Sequence, residues 1–134
     1  MDTVVTPAAH AAAFWASLHL FLLLVLAVRV VRQRQNHKVL IGDEGVPELI
    51  QARRAFGNAT EYAPAGIAAL AVMALAGSPA LVLHGVGGTL FIGRIAHAIG
   101  LSLSTGPSIG RTVGTLVTWL AYLFAAVLLL FYAF

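Results

Sequence analysis

The stretch "AAAFWASLHLFLLLVLAV", residues 11–28, carries no charged side chain. It approaches the roughly 20 helical residues that cross a bilayer, where every backbone N–H and C=O has to find its partner inside the segment. A transmembrane helix is therefore expected. Nothing basic precedes this stretch and no small-residue cleavage site follows it, so it is expected to stay in the mature protein and not to act as a signal peptide. Composition agrees. Of the 134 residues 60% are hydrophobic and only 10% charged, against about a quarter charged in soluble domains, which points to an integral membrane protein.

Three further apolar stretches follow. The second runs from about Tyr62 to Ala76 and reaches spanning length only if the polar turns before it are helical. The third begins after "AGSP", where Gly77 can end one helix and Pro79 start the next. The fourth follows the turn "STGPS" and ends in Phe131, Tyr132 and Phe134, suited to an interfacial aromatic belt. The expected fold is an all-α integral membrane protein, a bundle of four transmembrane helices. One domain should cover residues 1–134, with spans at about 11–31, 48–76, 79–103 and 110–134. The only sizeable loop, residues 31–50, is broken by Gly42, Gly45 and Pro47 before "VPELIQARR" restarts a helix.

The net charge of +3 could suggest a nucleic-acid partner, but the basic residues stand beside apolar spans, where topology accounts for them. Arg29, Arg32, Arg34, Lys38, Arg53 and Arg54 flank the first loop, Arg111 lies at the third, and no lysine or arginine precedes span one or enters the second loop. The positive-inside rule then places loops one and three in the cytoplasm and both termini on the other side. With no cysteine, any thiol chemistry must use a thiol carried by a ligand.

Polar residues inside the spans carry the functional signal. Arg54, Asn58 and Glu61 stand at i, i+4 and i+7 and form one stripe on a helix entering from the cytoplasmic side. Span three carries Arg94 and His97. An arginine within a span costs roughly 2.5–3.5 kcal/mol on insertion scales and should face protein or water. Equal residue counts up and down the hairpin from Gly77 and Ser78 put Glu61 level with Arg94, Asn58 with His97, and Arg54 with Leu101. Glu61 and Arg94 are therefore expected to interact, directly or through one ligand or water. Arg54, Asn58, His97 and Arg111 add more donors than one glutamate can satisfy. Arginine forks bind carboxylates, glutamate accepts from an ammonium and asparagine matches an amide, so a small acidic peptide such as glutathione suits the set. A zwitterionic amino acid or a lipid headgroup suits it as well.

"RAFGNATEYAP", with Arg54, Asn58, Glu61, Tyr62 and Pro64, resembles the second-helix motif of the membrane-associated proteins in eicosanoid and glutathione metabolism, the MAPEG superfamily. "GRIAHAIG" resembles the third-helix motif, most closely as it occurs in the prostaglandin E synthases of that family. Four spans, a basic first loop and an arginine opening the fourth helix extend the likeness over nearly the whole chain, and its small size is similar to the bacterial branch, which implies a bacterial inner membrane. The resemblance implies a homotrimer of four-helix bundles binding glutathione as co-substrate near the cytoplasmic face, between subunits. Arg54, Asn58 and Glu61 would hold the peptide's polar ends, with Tyr62 beside them and Arg94 and His97 as the floor. Arg32 or Arg34 would reach in from the end of span one, and Arg111 would stabilise the thiolate as the catalytic residue. Leu101 stands where several relatives place a tyrosine, and Phe56 where many have histidine.

The implied activity is a membrane-bound glutathione-dependent transferase, with or without peroxidase activity, acting on lipophilic electrophiles that arrive among the membrane lipids. The alternative is a non-catalytic membrane protein that binds or carries a small anionic metabolite with the same cluster; it would call for broken helices and a polar path to the far side. His10, His19 and His84 have no ligand spacing, so no metal is expected. Gly85, Gly87, Gly88 and Gly93 are expected to allow close helix approach and not to cradle phosphate. Trp119 and Tyr122 suit either packing or a hydrophobic groove.

Overall fold

In the computed structural model, which describes residues 6–104 and 106–134, the chain forms four helices: α1 (Pro7–His37), α2 (Pro47–Leu75), α3 (Ala80–Leu103) and α4 (Ile109–Tyr132). The expected domain boundary at residue 1 and Thr105 of the turn before α4 lie outside the described residues. Helices α1, α3 and α4 are long and apolar enough to cross a membrane. The second helix falls short on hydropathy because its first half carries Arg53, Arg54, Asn58 and Glu61. Those polar turns are nevertheless helical, and the 29 residues of α2 extend about 43 Å at 1.5 Å each, more than the roughly 30 Å of hydrocarbon.

Local sequence sets the helix ends. Thr6 caps α1, its hydroxyl accepting from the Ala9 N–H at 3.2 Å, and Pro7 takes the first helical position, where no N–H is needed. This helix continues to His37, so the connector is much shorter than residues 31–50. "RVVRQRQNHK" contains no glycine or proline to stop it, and its arginines and glutamines are good helix formers. Gly42 and Gly45 adopt positive φ in the loop, and an Arg53–Asp43 ion pair at 2.7 Å ties the loop to α2. At the other end of α2 the N–H of Ser78 bonds the Met73 carbonyl and that of Gly77 the Ala74 carbonyl, with Gly77 at φ +79°. This Schellman closure needs a residue that tolerates the left-handed region. Pro79 then caps α3, and Ser108 caps α4 by accepting from the Arg111 N–H.

Helix α3 packs against all three others, while the backbones of α1 and α4 stay apart and meet only through the apolar cluster that holds Ala11 and Ala125. Contact between α3 and α4 is backbone to backbone. A Cβ on Gly114 would lie 2.5 Å from the His97 nitrogen, one on Gly100 2.5 Å from the Arg111 nitrogen, and one on Gly93 2.7 Å from Thr118 Oγ1. Gly87 and Gly88 instead admit the Trp15 ring of α1, whereas Gly85 faces open space. The expected role in helix approach thus holds for Gly87, Gly88 and Gly93 and not for Gly85 within one chain.

The second helix buries a stripe of mostly small residues, Ala52, Ala55, Ala59, Ala63, Gly66, Leu70 and Met73. Two apolar clusters result. One joins Leu70, Met73, Leu83 and Val86 near the α2–α3 turn, and the other joins Leu26, Ala55, Ala59, Ala98 and Leu101 near the opposite end. Polar side chains occupy the level between them. The outer faces of α1 and α4 remain apolar and exposed, with Phe21, Leu24 and Val25 on one and Leu120, Phe124 and Val127 on the other, as lipid or a neighbouring subunit requires.

Candidate functional site

Arg94 organises the polar layer. It is only 2% exposed, and its guanidinium is held from three sides. Nε donates to Thr118 Oγ1 at 2.9 Å, Nη1 donates to Asn58 Oδ1 at 2.7 Å, and the Tyr62 ring lies 4.6 Å from the guanidinium carbon. Thr118 passes its own proton to the Gly114 carbonyl at 2.8 Å, so its oxygen is free to accept from Arg94. An amide, a hydroxyl and an aromatic face thus offset part of the cation's burial, without a carboxylate, while Nη2 has no partner among the described residues.

Glu61 and Arg94 do not pair directly. Glu61 is exposed, and the helix geometry of α2 gives the reason. It lies two residues from both Ala59 and Ala63 of the buried stripe, about 200° around the helix at 100° per residue. Asn58 lies one residue from Ala59, at the flank of the same face. Level depth brought the right elements together, but helix rotation chose Asn58 as the partner.

Tyr62 joins α2 to α4. Its hydroxyl accepts from the Trp119 Nε1–H at 3.5 Å, and its carbonyl accepts from the Tyr122 hydroxyl. Gly66, one turn on, would bring a Cβ against Leu90 and Tyr122, so small size at position 66 permits this seam.

Beside the polar layer runs an open furrow between the N-terminal half of α2 and the start of α4. One part, about 330 Å³, is lined by Arg54, Gly57, Asn58, Glu61, His97, Leu101 and Arg111. A second, about 610 Å³, continues past His97, Ser108, Thr115 and Trp119 and shares Arg54 and Arg111. Five of the expected residues therefore meet on one surface: Arg54, Asn58, Glu61, His97 and Arg111. Arg94 and Tyr62 lie behind it as supports of Asn58 and are not among its lining residues. Nor are Arg32 and Arg34. Arg34 donates to the Val39 and Leu40 carbonyls at the end of α1, and Arg29, which was not singled out for the site, donates to the Ser102 carbonyl at 3.2 Å and ties α1 to α3.

His97 is 9% exposed; its Nδ1 contacts the Arg111 carbonyl and Thr115 Oγ1. Arg111 donates from Nη1 to the Gly106 carbonyl at 2.7 Å, which steadies the turn before α4 while its side chain still lines the furrow. Thr115 and Thr118 were missed in the sequence. Their signal was present, since Arg111, Thr115 and Thr118 repeat the i, i+4, i+7 spacing of Arg54, Asn58 and Glu61. A separate apolar groove of about 370 Å³, lined by Ala65, Ala69, Leu90, Tyr122, Ala125 and Leu129, lies toward the α2–α3 turn. No group of three His, Cys, Asp or Glu suited to a metal occurs among the described residues.

A family model described as the MAPEG family matches residues 12–131. The chain belongs to the MAPEG family. Its relatives include Inner membrane protein YecN of Escherichia coli strain K12, 38% identical over 88 residues, which cover 66% of this chain and 67% of the relative. YecN of E. coli O6:H1 matches with the same identity and coverage. No solved structure matches. Family membership, the apolar helices and this relative make the MAPEG protein described here an integral membrane protein.

Proposed function

We propose that this MAPEG protein is a membrane-bound glutathione-dependent transferase that conjugates lipophilic electrophiles. The observation that carries the reading is the convergence of Arg54, Asn58, Glu61, His97 and Arg111 on one furrow. Arg54 suits a carboxylate of glutathione, Glu61 its ammonium and Asn58 its amides. Arg111, beside the mouth, favours the thiolate over the thiol. The apolar groove near Tyr122 suits a lipophilic co-substrate entering from the bilayer.

The furrow is open along one side, which supports a further part of the proposal: the protein works as a homotrimer whose neighbour closes the site, supplying Arg32 or Arg34. The first-loop charges support a cytoplasmic furrow in a bacterial inner membrane, with both termini exported. A carrier is less well supported, because α2 remains helical through Pro64 and the groove beyond the furrow is apolar. Titration calorimetry of glutathione into detergent-solubilised protein tests the reading. Saturable binding, lost in Arg54→Ala together with Asn58→Leu, is expected; no heat with folded wild-type protein overturns it.

A further inference from the structure

The imidazole of His97 is arranged as a base. Its Nδ1 lies 3.0 Å from the Arg111 carbonyl oxygen and 2.9 Å from Thr115 Oγ1, and the Thr115 hydroxyl donates to that same carbonyl at 2.9 Å. A carbonyl oxygen only accepts, and a hydroxyl already donating can only accept from Nδ1. Both contacts therefore require the ring proton on Nδ1 and leave Nε2 with its lone pair. This is the orientation that the third member of a catalytic triad imposes on its histidine, with a backbone carbonyl in place of the carboxylate.

His19 offers an internal contrast. Its Nδ1 is held by the Trp15 carbonyl at 2.7 Å, but its Nε2 is buried and partnerless among the described residues, and the ring stands roughly perpendicular to that of Phe91. His97 instead lines both parts of the polar furrow. Trp15 Nε1–H likewise fixes His84 by donating to its Nδ1, but His84 does not line the furrow, so among the described residues only His97 combines a locked tautomer with a place at the candidate site.

We propose that His97 Nε2 accepts the proton of the glutathione thiol, so that Arg111 stabilises a thiolate which His97 generates. The assignment rests on the glutathione reading above. In the step, the S–H bond breaks, its proton moves to Nε2 and its electron pair stays on sulfur. The thiolate then forms a C–S bond at an activated alkene, and the carbanion produced takes the proton back from Nε2, leaving the ring neutral. Arg94 on the same helix, Arg54 and Glu61 of α2 and Arg111 of α4 are the charged groups around the ring; no titratable group of α1 lines the furrow.

Counting protons tests this. Glutathione is titrated into solubilised wild-type protein near neutral pH in buffers of different ionisation enthalpy, with thiolate ultraviolet absorbance followed in parallel. If His97 takes the proton, thiolate appears with well under one proton released per glutathione bound, because the proton stays on the protein. If Arg111 acts alone, one proton per thiolate leaves for the buffer, and the proposal is overturned. His97→Asn keeps a donor toward the Arg111 carbonyl but lacks Nε2. It is expected to bind glutathione within a few-fold of wild type and to form thiolate only at higher pH, with kcat/KM toward an activated alkene lower by about 10²-fold. Binding with undiminished neutral-pH thiolate in that variant overturns the role of His97 and leaves the glutathione reading intact. Absence of glutathione heat in the wild type defeats both. Should the variant not fold, the wild-type proton count decides alone.

Discussion

At the scale of single residues, Asn58 joins fold and site, because the oxygen that accepts from Arg94 belongs to a side chain that also lines the furrow. Arg94→Lys keeps the charge but cannot serve Thr118 and Asn58 together, since an ammonium lacks the guanidinium fork. The variant is expected to lose about 1–3 kcal/mol of stability, read as a lower thermal midpoint in detergent, and to weaken glutathione binding by releasing Asn58. Glu61 behaves differently. Exposed and unpaired with Arg94, it should tolerate Glu61→Gln with a stability change within about 0.5 kcal/mol, while glutathione affinity falls through loss of the ammonium partner. A large drop in thermal midpoint would mean that Glu61 supports the fold after all. For Arg111→Ala, glutathione affinity should fall modestly while thiolate absorbance and turnover collapse; a folded, glutathione-binding variant with unaltered thiolate absorbance would remove Arg111 from the chemistry.

At the scale of elements, the α3–α4 pair positions the catalytic candidates. Gly93, Gly100 and Gly114 let the two backbones touch, and this brings the Arg111 carbonyl within hydrogen-bonding distance of His97. Between lipid-facing helices, such packing replaces the hydrophobic drive that lipid removes. Gly114→Ala would put a Cβ 2.5 Å from the His97 nitrogen, where the obstruction is backbone and cannot swing aside. A loss of about 1–3 kcal/mol is expected, accompanied by loss of thiolate formation as the helices separate. Unchanged thermal stability and thiolate formation would show that the pair can relax without disturbing the site. The second-helix stripe works the same way, since Ala52, Ala55, Ala59 and Ala63 admit close neighbours and decide which polar residues face inward.

For the whole molecule, the apolar outer faces of α1 and α4 and the open side of the furrow call for lipid, a neighbouring subunit, or both. Native mass spectrometry of detergent-released protein is expected to give a trimer, and a stable monomer would leave the furrow without the closing subunit. A C-terminal alkaline phosphatase fusion is expected to be active and a C-terminal green fluorescent fusion dark, since the basic first loop should hold the cytoplasmic side. The reverse pattern would place the furrow away from cytoplasmic glutathione.

Charge distribution, apolar length and turn chemistry are local properties, so the sequence by itself determined four helices, the Gly77 stop before α3 and the two motifs that carry the family. It also singled out Arg54, Asn58 and Glu61 as one stripe, because helical spacing aligns side chains along one helix, whereas His97 and Arg111 join them on one furrow only through packing. Tertiary structure decided the rest. Whether Arg94 meets Glu61 or Asn58 depends on how α2 is rotated against α3, and that rotation is chosen by the packing of Ala59 and Ala63, about one helical turn apart. Which ring nitrogen of His97 keeps its lone pair depends on a carbonyl contributed by another helix. Spacing along a chain conveys neither rotation nor cross-helix hydrogen bonds, because both arise only when complementary small and large side chains close the bundle.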